Sequence, residues 1–195
     1  YYLLSVVVLG IAAFVIGGIA LWLLWPAVSL FLVALNYVYL GSAGFQKRAN
    51  GEMSIAAKWL YFPYLVGAYV NSRFWTRKEP KSVPICDGVH LGRMPTRHDI
   101  KTIGFNAVVD LTAEFNKTYN GIDWHAIPNL DLLVPSKADL LKAVRLIMQL
   151  EQKGTTLVTC ALGYSRSALT IMAWLLLTKR AKTMDEAISL VQAQR

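Results

Sequence analysis

Charge is missing from the first 45 residues of this 195-residue chain, in which Lys47 is the first charged side chain. Charged residues make up 16% of the chain, against about 25% in ordinary globular domains. A surface helix needs a polar face to meet water, and residues 1–45 contain none. The chain therefore divides into an apolar block and a domain of normal polarity.

Cysteine, histidine and nucleotide-binding motifs are also scarce. The two cysteines, Cys86 and Cys160, cannot form a disulfide framework. The three histidines show no metal-ligand spacing, and no dinucleotide or nucleoside-triphosphate fingerprint occurs. We therefore expect no metal and no cofactor.

Basic charge is concentrated directly after the apolar block. The formal net charge is +8, and residues 47–84 hold seven Lys and Arg against two Asp and Glu. A nucleic-acid-binding domain would be expected to collect such charge on one face of its fold. Charge beside an apolar segment fits anionic lipid headgroups better, so we expect membrane lipids and no nucleic acid as partners.

Residues 1–46 are too long and too apolar for a signal peptide, whose apolar core is about 7–15 residues. A bilayer span needs about 20 residues, so we predict two transmembrane helices, roughly 1–16 (or to Gly18) and Leu21–Gly41. One long helix buried in a soluble core is the alternative. Lys47, after the second span, predicts a cytoplasmic position for that end. Because the chain starts with Tyr, we expect a segment before it.

Residues 47–84 form a basic, aromatic-rich segment followed by a linker. Within it, 54–78 carries Trp and Tyr framed by cations, which is typical of the headgroup level. We predict an interfacial helix broken at Pro63. A short third span over Trp59–Val70 is the alternative, and it would place the C-terminal domain on the other side of the membrane. Glu79–Pro84 is predicted to be the linker.

Residues 85–195 show an α/β pattern. Short apolar strands alternate with amphipathic helices, and Asp87-Gly88 is a hairpin turn signal. The predicted helices are Thr96–Ile103, Ser136–Gln152, Ser167–Thr178 and Thr183–Gln194. The predicted strands are 85–86, 89–91, Ala107–Leu111, Ile122–Ile127 and Thr155–Thr159. We expect a central sheet flanked by helices, preceded by a transmembrane helical hairpin and an interfacial helix.

The stretch TTLVTCALGYSRSA, residues 155–168, is the strongest functional signal. A strand, a tight loop with a glycine and a helix N-terminus direct backbone N–H groups toward an anion. A thiol at Cys160 is expected to ionise readily there and act as a nucleophile. Arg166 can grip two phosphate oxygens. The phosphate-binding residues are then Ala161, Leu162, Gly163, Tyr164, Ser165 and Arg166. The alternative is that Cys160 is a buried structural thiol.

Hydrolysis through a covalent intermediate also needs an acid that protonates the leaving oxygen and later activates water. The upstream carboxylates are Asp110, Glu114, Asp123 and Asp131. Asp131 lies on an aperiodic loop with a proline near either end, which suits a movable acid. Asp110 ends a strand and is interpreted as structural. We therefore predict Asp131 as the acid and base.

Residues 85–195 resemble the dual-specificity branch of the cysteine-dependent protein tyrosine phosphatases. The matching pieces are Gly92 after Val-His-Leu, Val108–Thr112, Ile127-Pro128 with Asp131, the loop Cys160–Ser167, and Glu186-Ala187. The resemblance implies a phosphocysteine on Cys160, phosphate binding by Arg166 and acid–base work by Asp131. It also implies that Ser167 assists departure of the thiolate. The apolar N-terminal part is similar to bacterial membrane proteins that carry this domain.

One residue departs from the family pattern, which usually has His before the nucleophile where this chain has Thr159. The alternative to an active phosphatase is thus a phosphate-binding pseudophosphatase or membrane scaffold. The loop carries no cation besides Arg166, which makes a polyphosphoinositide substrate unfavourable. We expect a phosphomonoester hydrolase at the cytoplasmic face of a bacterial inner membrane, acting on a phosphoprotein or a lipid phosphate. A catalytic Cys160 must stay reduced, which fits the cytoplasm.

Overall fold

A five-stranded sheet lies at the centre of the computed structural model, which describes residues 2–194. The strands are β1 (Ser82–Cys86), β2 (Val89–Arg93), β3 (Ala107–Thr112), β4 (Asp123–Asn129) and β5 (Thr156–Cys160). Their order is β1-β2-β5-β3-β4, and all neighbours are parallel except β1 and β2. Every residue of β3 and β5 is buried, as inner parallel strands require.

Helices cover both faces of this sheet, which confirms the predicted α/β class. The helices are α1 (Tyr2–Ile16), α2 (Leu24–Leu35), α3 (Ile55–Leu60), α4 (Phe62–Trp75), α5 (Arg97–Ile103), α6 (Lys137–Leu150), α7 (Arg166–Leu177) and α8 (Met184–Gln192). Residues of α6, α7 and α8 form one apolar core with the sheet, in which Trp174 is fully buried. Ile100 of α5 and Trp124 of β4 belong to a second core on the other face.

The β1–β2 hairpin turns at Asp87-Gly88, as the sequence predicts. Both residues have positive φ, 47° and 74°, which is the backbone of a type I′ turn. β1 starts at Ser82, so the last three residues of the predicted linker belong to the sheet. Pro84 is tolerated there because β1 is an edge strand, and the pairing shifts between Pro84 and Cys86.

The apolar N-terminal block folds back on itself. α1 packs against α2, and the ring of Tyr2 lies 5.9 Å from that of Tyr37. The helical stretch Gly18–Phe45 is long and apolar enough to cross a bilayer, whereas α1 has only 15 residues. One such stretch is weak support for an anchor, so the two-span hairpin stays a prediction.

The aromatic segment after this block is helical and interrupted, as predicted. The interruption falls at Tyr61, between α3 and α4, and Pro63 lies in the first turn of α4, where a missing N–H costs little. The rings of Trp59 and Phe62 each stack with the Trp25 ring, with centroids 5.6 Å apart in both pairs. The segment therefore packs on α2 with one part of its surface and exposes aromatic rings with another.

Lys47 does not face headgroups, contrary to our expectation. Its side chain is fully buried and its Nζ pairs with the buried carboxylate of Asp110, at 2.5 Å. Nζ also donates to the carbonyl oxygen and hydroxyl of Thr112, at 2.7 and 3.0 Å. Asp110 accepts a further bond from Trp124 Nε1 at 3.1 Å. Asp110 is thus structural, as interpreted, and its cation comes from the N-terminal segment.

A third apolar cluster joins the N-terminal helical block to the C-terminal α/β domain. Val33 of α2 and Phe45 belong to the same buried cluster as Ala113 and Leu130, which follow β3 and β4. The C-terminal end of α2 therefore packs against the loops at the carboxyl edge of the sheet.

Candidate active site

The carboxyl ends of three parallel strands assemble the site. Cys160 is the last residue of β5, Glu114 follows β3 by two residues, and Asp131 follows β4 by two residues. Because these strands are parallel neighbours, their carboxyl ends lie at one edge of the sheet. Asp123 begins β4 and therefore lies at the opposite edge, away from Cys160.

The loop after Cys160 closes around its sulfur. The N–H of Gly163 donates to Cys160 Sγ at 3.2 Å, and the hydroxyl of Ser167 lies 3.1 Å from the same atom. Cys160 and Ser167 are both buried, with 3% and 0% of their surface exposed. No side chain caps the first turn of α7, which starts at Arg166. The loop thus places a thiol below the open N-terminus of a helix, where an anion binds favourably.

Gly163 is required by its surroundings as well as by its backbone. Its φ is +81°, and a Cβ added there would come within 2.7 to 2.9 Å of the backbone of Gly92 and Arg93, at the end of β2. The loop is therefore pressed against β2 at a spot that admits only glycine.

Thr159, which stands where the family usually has His, is fully buried in β5. Its hydroxyl donates to the carbonyl oxygen of Cys160 at 3.2 Å. The threonine therefore contacts the backbone of the predicted nucleophile and fixes the start of the loop.

Arg166 is almost fully buried and is held by two carboxylates. Its Nη1 and Nη2 donate to the two oxygens of Glu114 at 3.1 and 2.8 Å. Nη1 also donates to the carbonyl of Asn129 at 2.7 Å, and Nη2 to Asp131 Oδ1 at 2.9 Å. Burial alone would lower the pKa of Arg166. The interaction with Glu114, to which Cys160 and Asp131 add, outweighs burial and raises that pKa. Arg166 Nε is buried and has no protein partner within residues 2–194.

Asp131 lies where its loop meets the N-terminal helices. Its side chain is 40% exposed although it contacts Arg166. The hydroxyl of Tyr37, just after α2, donates to its carbonyl oxygen at 3.1 Å. Leu132 has a φ of +59° and is 88% exposed, so the chain bends sharply straight after the acid.

The other predicted phosphate-binding residues lie around the same loop. The carbonyl of Ala161 accepts a bond from Ser72 Oγ of α4 at 2.7 Å. Leu162 packs against the second core, Tyr164 is about half exposed, and Ser165 immediately precedes α7. The structure therefore brings all of the predicted site residues to one edge of the sheet.

Two contacts of this site were missed from the sequence. Glu114 was one of four candidate carboxylates, and nothing in its spacing marked it as the partner of Arg166, 52 residues away. Tyr37 was assigned to a membrane span, and it contacts Asp131 across 94 residues. The first pair depends on strand order and the second on how the N-terminal helices pack against the sheet, and no local pattern reveals either.

A family model described as "Dual specificity phosphatase, catalytic domain" matches residues 89–195. A comparison with curated proteins finds no match. Among solved structures, Tk-PTP in its active form is 26% identical, with a TM-score of 0.54 over 60% of this chain and 86% of that one. PTPMT1 in complex with PI(5)P is 20% identical, with a TM-score of 0.52 over 60% of this chain and 84% of that one. The human tyrosine phosphatase-like serine/threonine/tyrosine-interacting protein is 20% identical, with a TM-score of 0.51 over 58% of this chain and 83% of that one.

Proposed function

The chain belongs to the dual specificity phosphatase family and is a phosphatase, and we propose that it hydrolyses phosphomonoesters through a phosphocysteine on Cys160. The observation that carries this proposal is the sulfur of Cys160, which accepts hydrogen bonds from Gly163 and Ser167 inside a loop that ends at Arg166. The attacking species in such a reaction is the thiolate.

In the first step the thiolate of Cys160 attacks phosphorus, and an S–P bond forms as the bond to the leaving oxygen breaks. Asp131 gives that oxygen its proton. In the second step Asp131 takes a proton from water, which attacks phosphorus and releases inorganic phosphate and the thiolate. The Ser167 hydroxyl, 3.1 Å from the sulfur, stabilises the departing thiolate.

Arg166 couples phosphate binding to the release of Asp131. Within the described residues its Nε has no protein partner, whereas its Nη2 donates to both Glu114 and Asp131. A bidentate grip on phosphate uses Nε and Nη2 together, so the phosphate competes with Asp131 for Nη2. Glu114 keeps the guanidinium in place throughout, and the freed Asp131 turns toward the leaving oxygen.

The N-terminal part holds this domain at a membrane, with residues 1–46 as a helical hairpin and the aromatic helices α3 and α4 as an interfacial segment. The apolar stretch Gly18–Phe45 and the exposed rings of Trp59, Phe74 and Trp75 support this arrangement. The free thiol of Cys160 fits a reducing compartment, so we place the catalytic domain in the cytoplasm. The substrate is then a phosphoprotein or a lipid phosphate at that surface.

The test is hydrolysis of an aryl phosphate by the full chain and by C160S, D131N and C86S. Cys160→Ser is expected to abolish turnover. Asp131→Asn is assayed in addition with an alkyl phosphate, which has a poor leaving group, and should lower kcat for it by about 10²–10⁴-fold. Cys86 is the matched control, because it is the other free thiol and lies on β1. Acid quenching should trap a phosphorylated protein in the wild type and none in C160S.

A pseudophosphatase, suggested by Thr159, would give a different result. Turnover that is absent in the wild type, or equal in wild type and C160S, would remove the proposed mechanism. In that case, binding of inorganic phosphate by the wild type but not by Arg166→Met would indicate a phosphate-binding module.

A further inference from the structure

A cleft of about 330 Å³ opens beside the catalytic loop and is walled by the N-terminal helices. Asp131 and Ala161 lie on its catalytic side. Pro26 and Leu30 of α2 and Ala68 of α4 lie on its other side. The route to the catalytic loop from this side therefore passes between α2 and α4.

The lining of this cleft is more apolar than polar and includes no Lys or Arg among the described residues. Glu114 and Asp131 are the charged residues among the described residues that line it, and both contact Arg166. A second phosphate, or an acidic peptide flanking the phosphorylated residue, would meet these two carboxylates while Arg166, their cation, binds the first phosphate. The cleft suits a substrate whose charge is confined to one phosphate.

The face of α2 that turns away from Pro26 and Leu30 is apolar and exposed. On α2, Val28 and Phe31 are 47% and 44% exposed, and Val8 of the neighbouring α1 is 57% exposed. Lys58, Trp25 and Trp59 line a further groove in which a cation lies beside two aromatic rings, a composition found at lipid headgroup level. These outer faces and this groove can thus lie against lipid, from which an acyl chain can enter the cleft between α2 and α4.

We propose that the substrate is a lipid bearing a single terminal phosphomonoester, with an acyl chain entering the cleft between α2 and α4. This inference rests on the proposed function and names the substrate class of the same site. The phosphate transfers to Cys160 and then to water, so the products are a lipid alcohol and inorganic phosphate. Asp131 supplies the proton that the lipid alkoxide requires.

The experiment uses the full chain in detergent and phosphatidic acids of increasing acyl length, each below its micellar concentration. A phosphotyrosyl peptide and nitrophenyl phosphate are assayed in parallel. We expect kcat/KM to rise about fourfold for each methylene that the cleft buries, and to exceed the value for the peptide.

Leu30→Trp places a larger side chain in the cleft and should lower kcat/KM for the longest lipid about tenfold, with nitrophenyl phosphate almost unaffected. Phe31→Trp is the matched control, because Phe31 is the next residue on α2 and does not line the cleft. It should leave both activities unchanged.

Three results would overturn the proposal: no dependence on chain length, faster turnover of the peptide, or equal losses in L30W for lipid and aryl phosphate. Cys160-dependent hydrolysis of nitrophenyl phosphate without lipid turnover would refute only the lipid substrate. Absence of nitrophenyl phosphate hydrolysis by the wild-type chain would refute the proposed function.

Discussion

Tyr37→Phe tests whether the N-terminal helices position the catalytic acid. The substitution removes one hydroxyl, which donates to the carbonyl oxygen of Asp131 at 3.1 Å. The ring remains and keeps its contact with Tyr2. The carboxylate of Asp131 keeps its bond to Arg166 in the resting enzyme. The change therefore loosens the loop that carries the acid without altering any group that touches substrate.

The size of the effect follows from the hydrogen bond that is lost. A neutral hydrogen bond contributes about 0.5–1.5 kcal/mol net, so the productive loop position should lose about two- to tenfold in population. This loss lowers kcat where Asp131 must protonate a poor leaving group. A nitrophenolate leaves without that proton, so its release should slow far less.

The assay compares kcat for an alkyl phosphate and for nitrophenyl phosphate in wild type and Y37F. Tyr39→Phe is the matched control, because Tyr39 lies two residues away and is 80% exposed. We expect a selective loss with the alkyl substrate in Y37F alone. Equal losses with both substrates would indicate a general structural defect, and no loss with either would remove Tyr37 as a positioning residue.

Two further substitutions test the buried ion pair and the second chemical step. Lys47→Met strands the charge of Asp110 and should lower the free energy of unfolding by about 3–5 kcal/mol, measured by urea denaturation in detergent. Arg48 is the exposed neighbour, so Arg48→Met should leave the free energy of unfolding unchanged. Similar free energies of unfolding for the two variants would contradict a buried ion pair. Ser167→Ala removes the hydroxyl 3.1 Å from Cys160 Sγ and should slow phosphocysteine hydrolysis about ten- to hundredfold. Stopped-flow should then show a burst of phenol release, and steady release from the first turnover would exclude this role.

Local sequence signals predicted much of the fold because their causes are local. The hairpin turn at Asp87-Gly88 follows from residues that accept positive φ. The starts of α6 and α8 follow from Ser136 and Thr183, whose hydroxyls accept bonds from N–H groups three residues on. The strand–loop–helix around Cys160 was equally readable, since a glycine and an apolar run bound it.

The parts of the site that were missed depend on distant pairing. Lys47 follows an apolar block, and its sequence neighbours alone favoured a headgroup position. Its burial results from Asp110, a carboxylate 63 residues away that would otherwise be unpaired in the core. Pro84 suggested a linker because prolines punctuate chains, yet an edge strand needs no N–H at that position.

Contacts at the sheet edge also bear on how the chain divides into units. Ser72 of α4 bonds the carbonyl of Ala161 in the catalytic loop, and Arg73 bonds that of Met94, just after β2, at 2.8 Å. Lys47 supplies the cation for Asp110. A chain cut to residues 85–195 would lose all three contacts and leave the buried carboxylate unpaired, which costs several kcal/mol. The boundary that composition draws near residue 85 is therefore a change in polarity and does not separate two folding units.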